Sequence, residues 1–586
     1  MIIVIGTWTA STTASFASSR ASLARWRSEE RLKPCFASAR AIVSPRTLML
    51  SLAPLTSNPA GVTERRRDVV PNLRPLIAGF VLVSLTSCMV GPNYRTPEAR
   101  VEAQWTGVPS TTKERTKIAQ AYWWKCFRDP VLDRLIKTAY ANNPSLQATG
   151  VRILQARAQL NQAVGNLFPQ QQAISGQVNY TKLSTPERVF VPAGVTSNFI
   201  TNQILFSSSW EIDFWGKYRR TIESDRATFL GTIASYDDAL VTLIADVATS
   251  YVNIRTLEER IRVAERNVGS QKQSFQLTET QFKSGETDEL DMRQAETLVN
   301  QTEAQIPHLQ NTLNQTKNGL AVQLGVTPDE VDRLLAGRSQ IPAVNGEVAA
   351  GIPHDLLRRR PDVRAAGLTA ASQNALIGVA RANMYPALSL SGEFGLYSNN
   401  EGRHSLSDMF SWQSRAAQAG ASFMWPVFNY GRLVNQVRVQ DAQFQQAILN
   451  YQNTVLTAQE EVENGLSAFY TELHALSNLT AAATAAHRST ELSLIHYRSG
   501  ETSYTTVLST QQAQLSVDDS VASSRGSVAI GLISIYRALG GGWELRQGGD
   551  VISGAVKTEM GRRTNWGRML KPEYHLPASS PEQTPE

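Results

Sequence analysis

Apolar positions along the chain follow two periods, and the switch between them happens twice. From Leu146, the stretch LQATGVRILQARAQLNQAV sets apolar and alanine positions at helical spacing with no breaker, which predicts a helix. After Pro169 the period falls to two: Ile174, Gly176, Val178 and Tyr180 alternate with Ala173, Ser175, Gln177 and Asn179. A polar loop follows, and then Ile204, Phe206, Trp210, Ile212 and Phe214 alternate with Ser207, Ser209, Glu211 and Asp213. Later, Leu388, Leu390, Phe394 and Leu396 alternate with Ser389, Ser391, Glu393 and Tyr397, and Ala421, Phe423, Trp425 and Val427 come after them. The pattern predicts four strands, each apolar on one face and small or polar on the other. A soluble sandwich gives the same alternation. The Ser, Gln, Asn, Asp and Glu of the polar faces, with Trp210 and Trp425 near strand ends, fit a barrel with lipid outside and water inside. Four strands cannot close a barrel, and open edges cannot be left in lipid, so membrane-spanning strands demand several chains around one barrel.

The helices predicted after the second strand of each pair are very long. From Gly216 to Phe282, and again from Gly431 to Tyr497, there are 66 steps without a proline. At 1.5 Å per residue a continuous helix of that length is roughly 100 Å long. Leu240, Leu243, Ile244, Val247, Tyr251, Ile254, Leu257 and Ile261 recur helically among charged and amide residues, a stripe that needs partner helices. Each long helix is expected to turn at SGET and return, with Pro307 kinking or breaking the first return. Gly285 and Gly500 in these turns can take the positive φ that a tight helix–helix turn requires. After Trp543 the chain turns polar and ends in PASSPEQTPE, so residues 544–586 are expected to be disordered.

The two series are copies of each other. Pro144 in NPSLQA and Pro361 in RPDVRA stand 217 apart, as do Pro169 and Pro386. Trp210 and Trp425 stand 215 apart, as do Gly216 and Gly431, and FKSGET and YRSGET share the same offset. Chance similarity would not hold that register. The chain therefore divides into a leader (1–87), two structural repeats (88–340 and 341–543) and the tail (544–586).

Charge sharpens the reading of the leader. Residues 1–87 carry 11 Lys+Arg and 4 Asp+Glu, leaving 46 and 47 in the rest of a chain that totals +6, so the remainder is net −1. The basic pI of about 9.1 thus belongs to the leader and argues for no nucleic-acid partner. The apolar run Leu76–Leu85, flanked by Arg65, Arg66, Arg67 and Arg74, has the length of a signal-peptide core and is too short to span a bilayer as a helix. It leads to Leu85-Thr86-Ser87-Cys88, which resembles the lipobox of bacterial lipoproteins. That resemblance implies cleavage between Ser87 and Cys88 and covalent lipid on Cys88. Met89, in place of an aspartate, makes the outer membrane the expected destination. Residues 1–61 fit no part of a signal, and translation is expected to start at Val62 or Val69. The three cysteines, Cys35, Cys88 and Cys126, form neither a disulfide framework nor a metal site. Cys126, in WWKCF, reads as a packed thiol.

Several motifs carry a family resemblance: VGPNY after Cys88, WWKCFRDPVLDRLIKTAYANNPSL, SWEIDFWGKYRR, GIPHDLLRRRPDVRAA, IGVARANMYPALSLSG, WPVFNYGRL and YRALGGGW. In this order they resemble the TolC-like outer membrane factors, in particular the NodT-type lipoproteins, over most of the chain from Cys88 to Trp543. The resemblance implies a mixed fold, a membrane β-barrel continued by a long-helix α-barrel. A homotrimer of duplicated helix–strand–strand–helix chains, four strands each, would share one twelve-stranded barrel. It implies a passive exit duct for drugs or other small solutes across periplasm and outer membrane. The implied partners are outer membrane lipid, a periplasmic adaptor (membrane fusion protein) and an inner-membrane pump of the resistance-nodulation-division type.

It also implies that both SGET turns lie at the periplasmic tip. Phe282, Gly285, Tyr497, Arg498 and Gly500 become the tip and adaptor-docking residues, with Tyr497 and Arg498 candidates for links that hold a gate shut. A plain turn and a solvated arginine are the bland readings. Where the family often has a gate acid after the second turn, this chain has Ser509. The first hairpin offers Asp288, Glu289 and Asp291. Threefold symmetry would make an inward carboxylate a ring of three, although acids also favour a helix start through its dipole. Asp246 and Glu461 are counterparts in the two halves and either line the tunnel or sit on its outer face. RRRPD reads as the opening of a helix rather than a phosphate site.

No catalytic pattern stands beside these. The seven histidines are scattered, and the chain has no Gly-rich phosphate loop, GxSxG or HExxH. No catalytic residue, metal ligand or cofactor is expected beyond the lipid. The same architecture could serve type I protein secretion. A periplasmic adaptor lipoprotein would instead show one hairpin between small β domains, not two equivalent hairpins and four amphipathic strands.

Overall fold

A computed structural model of the chain describes residues 89–101, 121–183, 198–344, 359–400, 406–546 and 549–575. The leader, Ser87, Cys88 and residues 576–586 lie outside them. The first half holds helices α1 (Pro130–Asn142) and α2 (Pro144–Gly165), strands β1 (Gln171–Lys182) and β2 (Asn198–Ile212), then α3 (Lys217–Ser284), α4 (Glu289–Leu324) and α5 (Pro328–Leu335). The second holds α6 (Pro361–Ala382), β3 (Ala387–Asn399), β4 (Arg415–Met424), α7 (Arg432–Arg498) and α8 (Tyr504–Ala538), with α9 (Gly554–Arg563) after it.

The strands form one antiparallel sheet in the order β1-β2-β3-β4. Its register gathers the predicted apolar sets on one face. Ile174 stands opposite Phe206, Phe206 opposite Phe394, and Leu388 opposite Phe423. The other face carries Gln177 opposite Gln203 and Ser207 opposite Glu393. There Gln203 Nε2 donates to Gln177 Oε1 at 2.7 Å. Ile174, Val178, Phe394 and Phe423 are mostly exposed in the single chain, so this apolar face is left uncovered by the described residues. Strand β4 ends at Met424, so Trp425 and Val427 fall past it.

Both long helices are continuous, 68 residues in α3 and 67 in α7. Each opens at a left-handed glycine, Gly216 at φ 80° and Gly431 at φ 79°. Each closes at another, Gly285 at φ 80° and Gly500 at φ 75°. At the closing turns the amide of Glu286 donates to the Gln281 carbonyl and that of Gly285 to Phe282. Glu501 to His496 and Gly500 to Tyr497 repeat the arrangement, so both tips are Schellman turns. Helix α4 runs continuously through Pro307, so of the kink or break expected there the break does not occur. None of the described helices is long and apolar enough to cross a membrane.

The main core lies where α1, α2, α3, α7 and α8 meet. Leu132, Leu135, Ile153, Leu154, Tyr251, Val252, Leu466, Phe469, Leu532 and Ile533 are buried there. A short 3-10 turn, Trp123–Phe127, drives Trp123, Trp124 and Phe127 into it, and Trp123 stacks on Tyr536 at 5.4 Å. The same turn leaves Lys125 and Cys126 exposed, because the inward places are taken by Trp123, Trp124 and Phe127, which corrects the packed-thiol reading.

The expectation of a disordered tail is also corrected over its described residues, 544–546 and 549–575. Residues 549–575 fold onto α2 because Val551 and Ile552 supply an apolar anchor inside an otherwise polar stretch. Gly150 makes the contact possible, since a Cβ there would sit 2.3 Å from the Val551 carbonyl oxygen. Ser553 caps α9 and donates to Gln147 at 3.1 Å. Arg546 reaches the fully buried Asp237 of α3 at 2.5 and 3.0 Å.

Candidate functional site: the hairpin tips and the belt below the sheet

At the tip, the two hairpins touch through a small cluster of Ala295, Tyr497, Tyr504 and Val507, with Phe275 and Leu494 packed against it. Tyr497 ends α7 and is buried, with its ring edge-on to Tyr504 at 5.3 Å. Its hydroxyl donates across to Asp291 Oδ2, in the first turn of α4, at 3.4 Å. Thr287 Oγ1 donates to the same oxygen at 2.7 Å. The structure thus joins two residues the sequence named separately, one from each hairpin. Burial, assisted by the Asp291 carboxylate, raises the phenol's pKa, so Tyr497 keeps its proton as a donor. Asp291 is tied to this link. Asp288 stands exposed at the start of α4, makes no side-chain cap bond and is the freer charge.

The remaining tip residues face water. Phe282 and Arg498 are exposed, as are the two glycines of the turns. His496 and Glu501 span the second turn at 2.5 Å, a pair with no motif to announce it. Ser509 is exposed and only donates to the Thr506 carbonyl at 2.9 Å, so it adds no charge to the tip.

Asp246 and Glu461 occupy the belt around the core, and each is half-exposed and paired. Asp246 lies 3.5 Å from Arg537, and burial pushes its carboxyl up against that pull. Glu461 lies 2.7 Å from Arg360, which also grips Asp362 at 2.8 Å and donates to the Ala538 carbonyl at 2.6 Å. Arg360 is the residue before Pro361 at the start of α6, so RRRPD opens a helix and ties three elements together.

Sequence reasoning missed one functional element. The VGPNY segment, one residue beyond Cys88, is tied down beneath the sheet. The Val90 amide donates to the Trp215 carbonyl at 3.1 Å. The buried Arg220 guanidinium donates to the carbonyls of Val90 and Gly91 and to Asn93 Oδ1. Asn374 and Tyr94 add bonds to α6, at 3.0 Å each. Gly91, at φ 102°, lies on Gly378 so tightly that a Cβ would stand 2.5 Å from its Cα. The two glycines and the arginine of FWGKYRR were the available signal.

Comparison with known proteins gives this geometry a context. The family described as "Outer membrane efflux protein" matches residues 135–326 and 352–541, one segment in each half. Nodulation protein T of Rhizobium leguminosarum bv. viciae is 29% identical over 475 residues, 80% of this chain and 93% of that protein. The toluene efflux pump outer membrane protein TtgC of Pseudomonas putida is 29% identical over 487 residues, 81% of this chain and 97% of the relative. Among solved structures, the outer-membrane channel OprN superposes with a TM-score of 0.72 at 32% identity, over 78% of this chain and all of that one. The CmeC channel of Campylobacter jejuni shares the fold, with a TM-score of 0.73 at 24% identity over 80% of this chain and all of CmeC. With both halves matched and strands, long helices and tips in place, the chain belongs to the outer membrane efflux protein family, and it is a TolC-like efflux channel of the outer membrane that extends into the periplasm.

Proposed function

We propose that three copies of this chain build one duct, with twelve strands in the outer membrane and twelve long helices crossing the periplasm. The observation that carries this reading is the sheet itself. Among the described residues strands β1 and β4 are each paired on one side only, and an open edge is not stable in lipid. A sheet of four exposes two edges; a closed ring of repeated sheets exposes none. The apolar face turned outward is consistent with the same arrangement.

In this reading Cys88 carries the lipid, and the strap from Met89 to Tyr94 holds that anchor next to the membrane end of α3. A single acyl chain gives marginal attachment, and two or three make it stable. The tip, with Phe282, Gly285, Tyr497, Arg498 and Gly500, receives a periplasmic adaptor bound to a resistance-nodulation-division pump. The Tyr497–Asp291 link holds the tip closed until the adaptor engages. Asp288, free of partners in its own turn, is the acid best placed to form a ring at the mouth. Asp246 and Glu461 serve as belt salt bridges. Transport is passive, for drugs or other small solutes, with the pump supplying the energy. Native mass spectrometry of the detergent-extracted protein should give three copies, and planar bilayers should show discrete conductance steps. A single copy, or a preparation with no conductance under any opening mutation, would reject the duct.

A further inference from the structure

We propose a specific seam between copies: β4 pairs antiparallel with β1 of the next chain so that Ser422 faces the partner's Gln177 and Phe423 faces the partner's Gly176. Just below, Tyr430 stacks on the partner's Phe168. The inference rests on the multi-copy reading above and adds which residues meet.

The chain already contains one such seam. Strand β2 of the first half pairs with β3 of the second. Beneath them the Trp215 ring stacks on Tyr385 at 4.6 Å, and its Nε1 donates to the Pro386 carbonyl at 2.8 Å. Duplication makes the same two surfaces a second time, on β4 and on β1, and there they have no occupant. Tyr430 precedes Gly431 as Trp215 precedes Gly216, and it is fully exposed. Phe168 precedes Pro169 as Tyr385 precedes Pro386, and it too is largely exposed. The counterparts are structural as well as sequential. Trp210 Nε1 donates to the Leu167 carbonyl at 3.2 Å, and Trp425 Nε1 donates to the Met384 carbonyl at 3.1 Å.

The register follows from the seam already formed. Ser175-Gly176 aligns with Ser391-Gly392, and Trp210 aligns with Trp425. Across the formed seam Phe206 faces Phe394, Ser207 faces Glu393 and Ser208 faces Gly392. Their counterparts place Ala421 opposite the partner's Val178, Ser422 opposite the partner's Gln177 and Phe423 opposite the partner's Gly176. This register keeps the faces together. Phe423 shares the apolar face with Leu388, and Gly176 shares it with Ile204. A slip of one residue would set the apolar row of one strand beside the polar row of the other.

Glycine placement agrees. In the formed seam Gly395 faces Leu205, and a Cβ there would stand 2.1 Å from the Ile204 carbonyl oxygen. The counterpart rung joins Gly420 to the partner's Asn179, so the glycine has moved to the other strand but the rung keeps one. Phe423, mostly exposed in the single chain, would cover the partner's Gly176, a pairing that supports an otherwise weak strand position.

The test is a cysteine pair in the full chain carrying Cys126→Ser. Residues directly opposite in an antiparallel pair have Cα atoms about 4.5–5.5 Å apart, within disulfide reach, whereas diagonal neighbours lie at about 7–8 Å. Mild oxidation of Gln177→Cys/Ser422→Cys should produce a reducible ladder of covalent dimers and trimers. Gln177→Cys/Gly420→Cys and Gln177→Cys/Met424→Cys, each two residues out of register, should link at least tenfold more slowly, and the single-cysteine chains should not link. The neighbouring rung, Ser175→Cys/Met424→Cys, repeats the test if the first pair disturbs assembly. Faster linking by a slipped pair, or no linking at either rung in a chain that native mass spectrometry shows as three copies, overturns the register and leaves the duct standing. A parent chain that is a single copy by the same measurement overturns the multi-copy reading itself.

Discussion

Replacing Tyr497 by phenylalanine removes one hydroxyl and almost nothing else, and it tests what holds the tip closed. The ring stays in its cluster with Tyr504, Ala295 and Val507, so packing is preserved. What is lost is the donation to Asp291 Oδ2, a bond to a charged acceptor that is long at 3.4 Å. Hydrogen bonds to charged groups contribute about 1.5–3 kcal/mol when well formed, and the length and partial exposure here reduce that to about 1 kcal/mol. Asp291 keeps its bond from Thr287, so no buried acceptor is abandoned to add a further penalty. Three copies opening together would lose about 3 kcal/mol, which shifts a closed–open equilibrium by roughly 150-fold. The assay is the open probability of single channels in planar bilayers, with susceptibility of cells to a large antibiotic as the cellular counterpart. Asp291→Asn, which retains one acceptor oxygen, should give a smaller shift in the same direction. The link also has a defined pH range. The phenol's folded pKa is raised above its unfolded value near 10, so its contribution is complete below pH 10 and fades only as pH climbs through the raised value. An open probability unchanged in Tyr497→Phe, with the trimer intact, would refute the link as the closing element.

The turn glycines give a simpler expectation. Gly500→Ala, at φ 75° with open space around it, should lower the melting temperature through about 1 kcal/mol of left-handed strain per copy, and circular dichroism melts of the purified protein would show it. Arg546→Leu leaves the Asp237 carboxylate buried without its bidentate partner, a loss of about 3–5 kcal/mol. Burial, aided by Glu544 and opposed only by the more distant Arg364 at 3.8 Å, then raises the Asp237 pKa further, so this variant should regain heat stability as pH falls, and Arg546→Leu/Asp237→Asn should recover much of it. Gly91→Ala puts a Cβ into Gly378 and should free the strap, read as faster proteolysis near residue 95 with the body of the protein intact. Cys88→Ser should abolish metabolic labelling by radioactive palmitate.

The sequence carried this fold in two ways, and each failed where its physical basis ended. Periodicity found the strands because a membrane sheet has two solvents, and the faces of Ile174 and Gln177 are sorted by water rather than by any neighbour. Repetition found the halves and both glycine-bounded long helices, because Gly216, Gly285, Gly431 and Gly500 each meet a backbone need no other residue fills without strain. Contacts between segments distant in sequence were a different matter. Asp291 and Tyr497 were each visible as candidates, but their meeting depends on how two hairpins lean together, and no local pattern encodes that. Arg220 stood in the quoted SWEIDFWGKYRR motif without a role, and it is buried under the segment that follows Cys88. Val551 and Ile552 were lost in the average polarity of the tail, although two apolar residues suffice when Gly150 leaves a groove for them.

Duplication explains why the missing half of the architecture can be argued from the half present. A duplicated chain must solve its internal seam, β2 against β3, with residues inherited from the same ancestor as its outer seam, β4 against β1. Selection then acts on the two seams separately. The internal one has Trp215 on Tyr385, with an indole N–H to spend on the Pro386 carbonyl. The proposed outer one would set Tyr430 against the partner subunit's Phe168, aromatic still, but without that donor. A seam within one chain forms at high effective concentration, whereas a seam between chains must first find its partner. The lost indole bond therefore falls on the contact that is already the harder to make. If the duct assembles in steps, closure of the outer seams is the slow one, and Tyr430→Trp, which offers the indole donor to the Pro169 carbonyl of the partner subunit, should accelerate it.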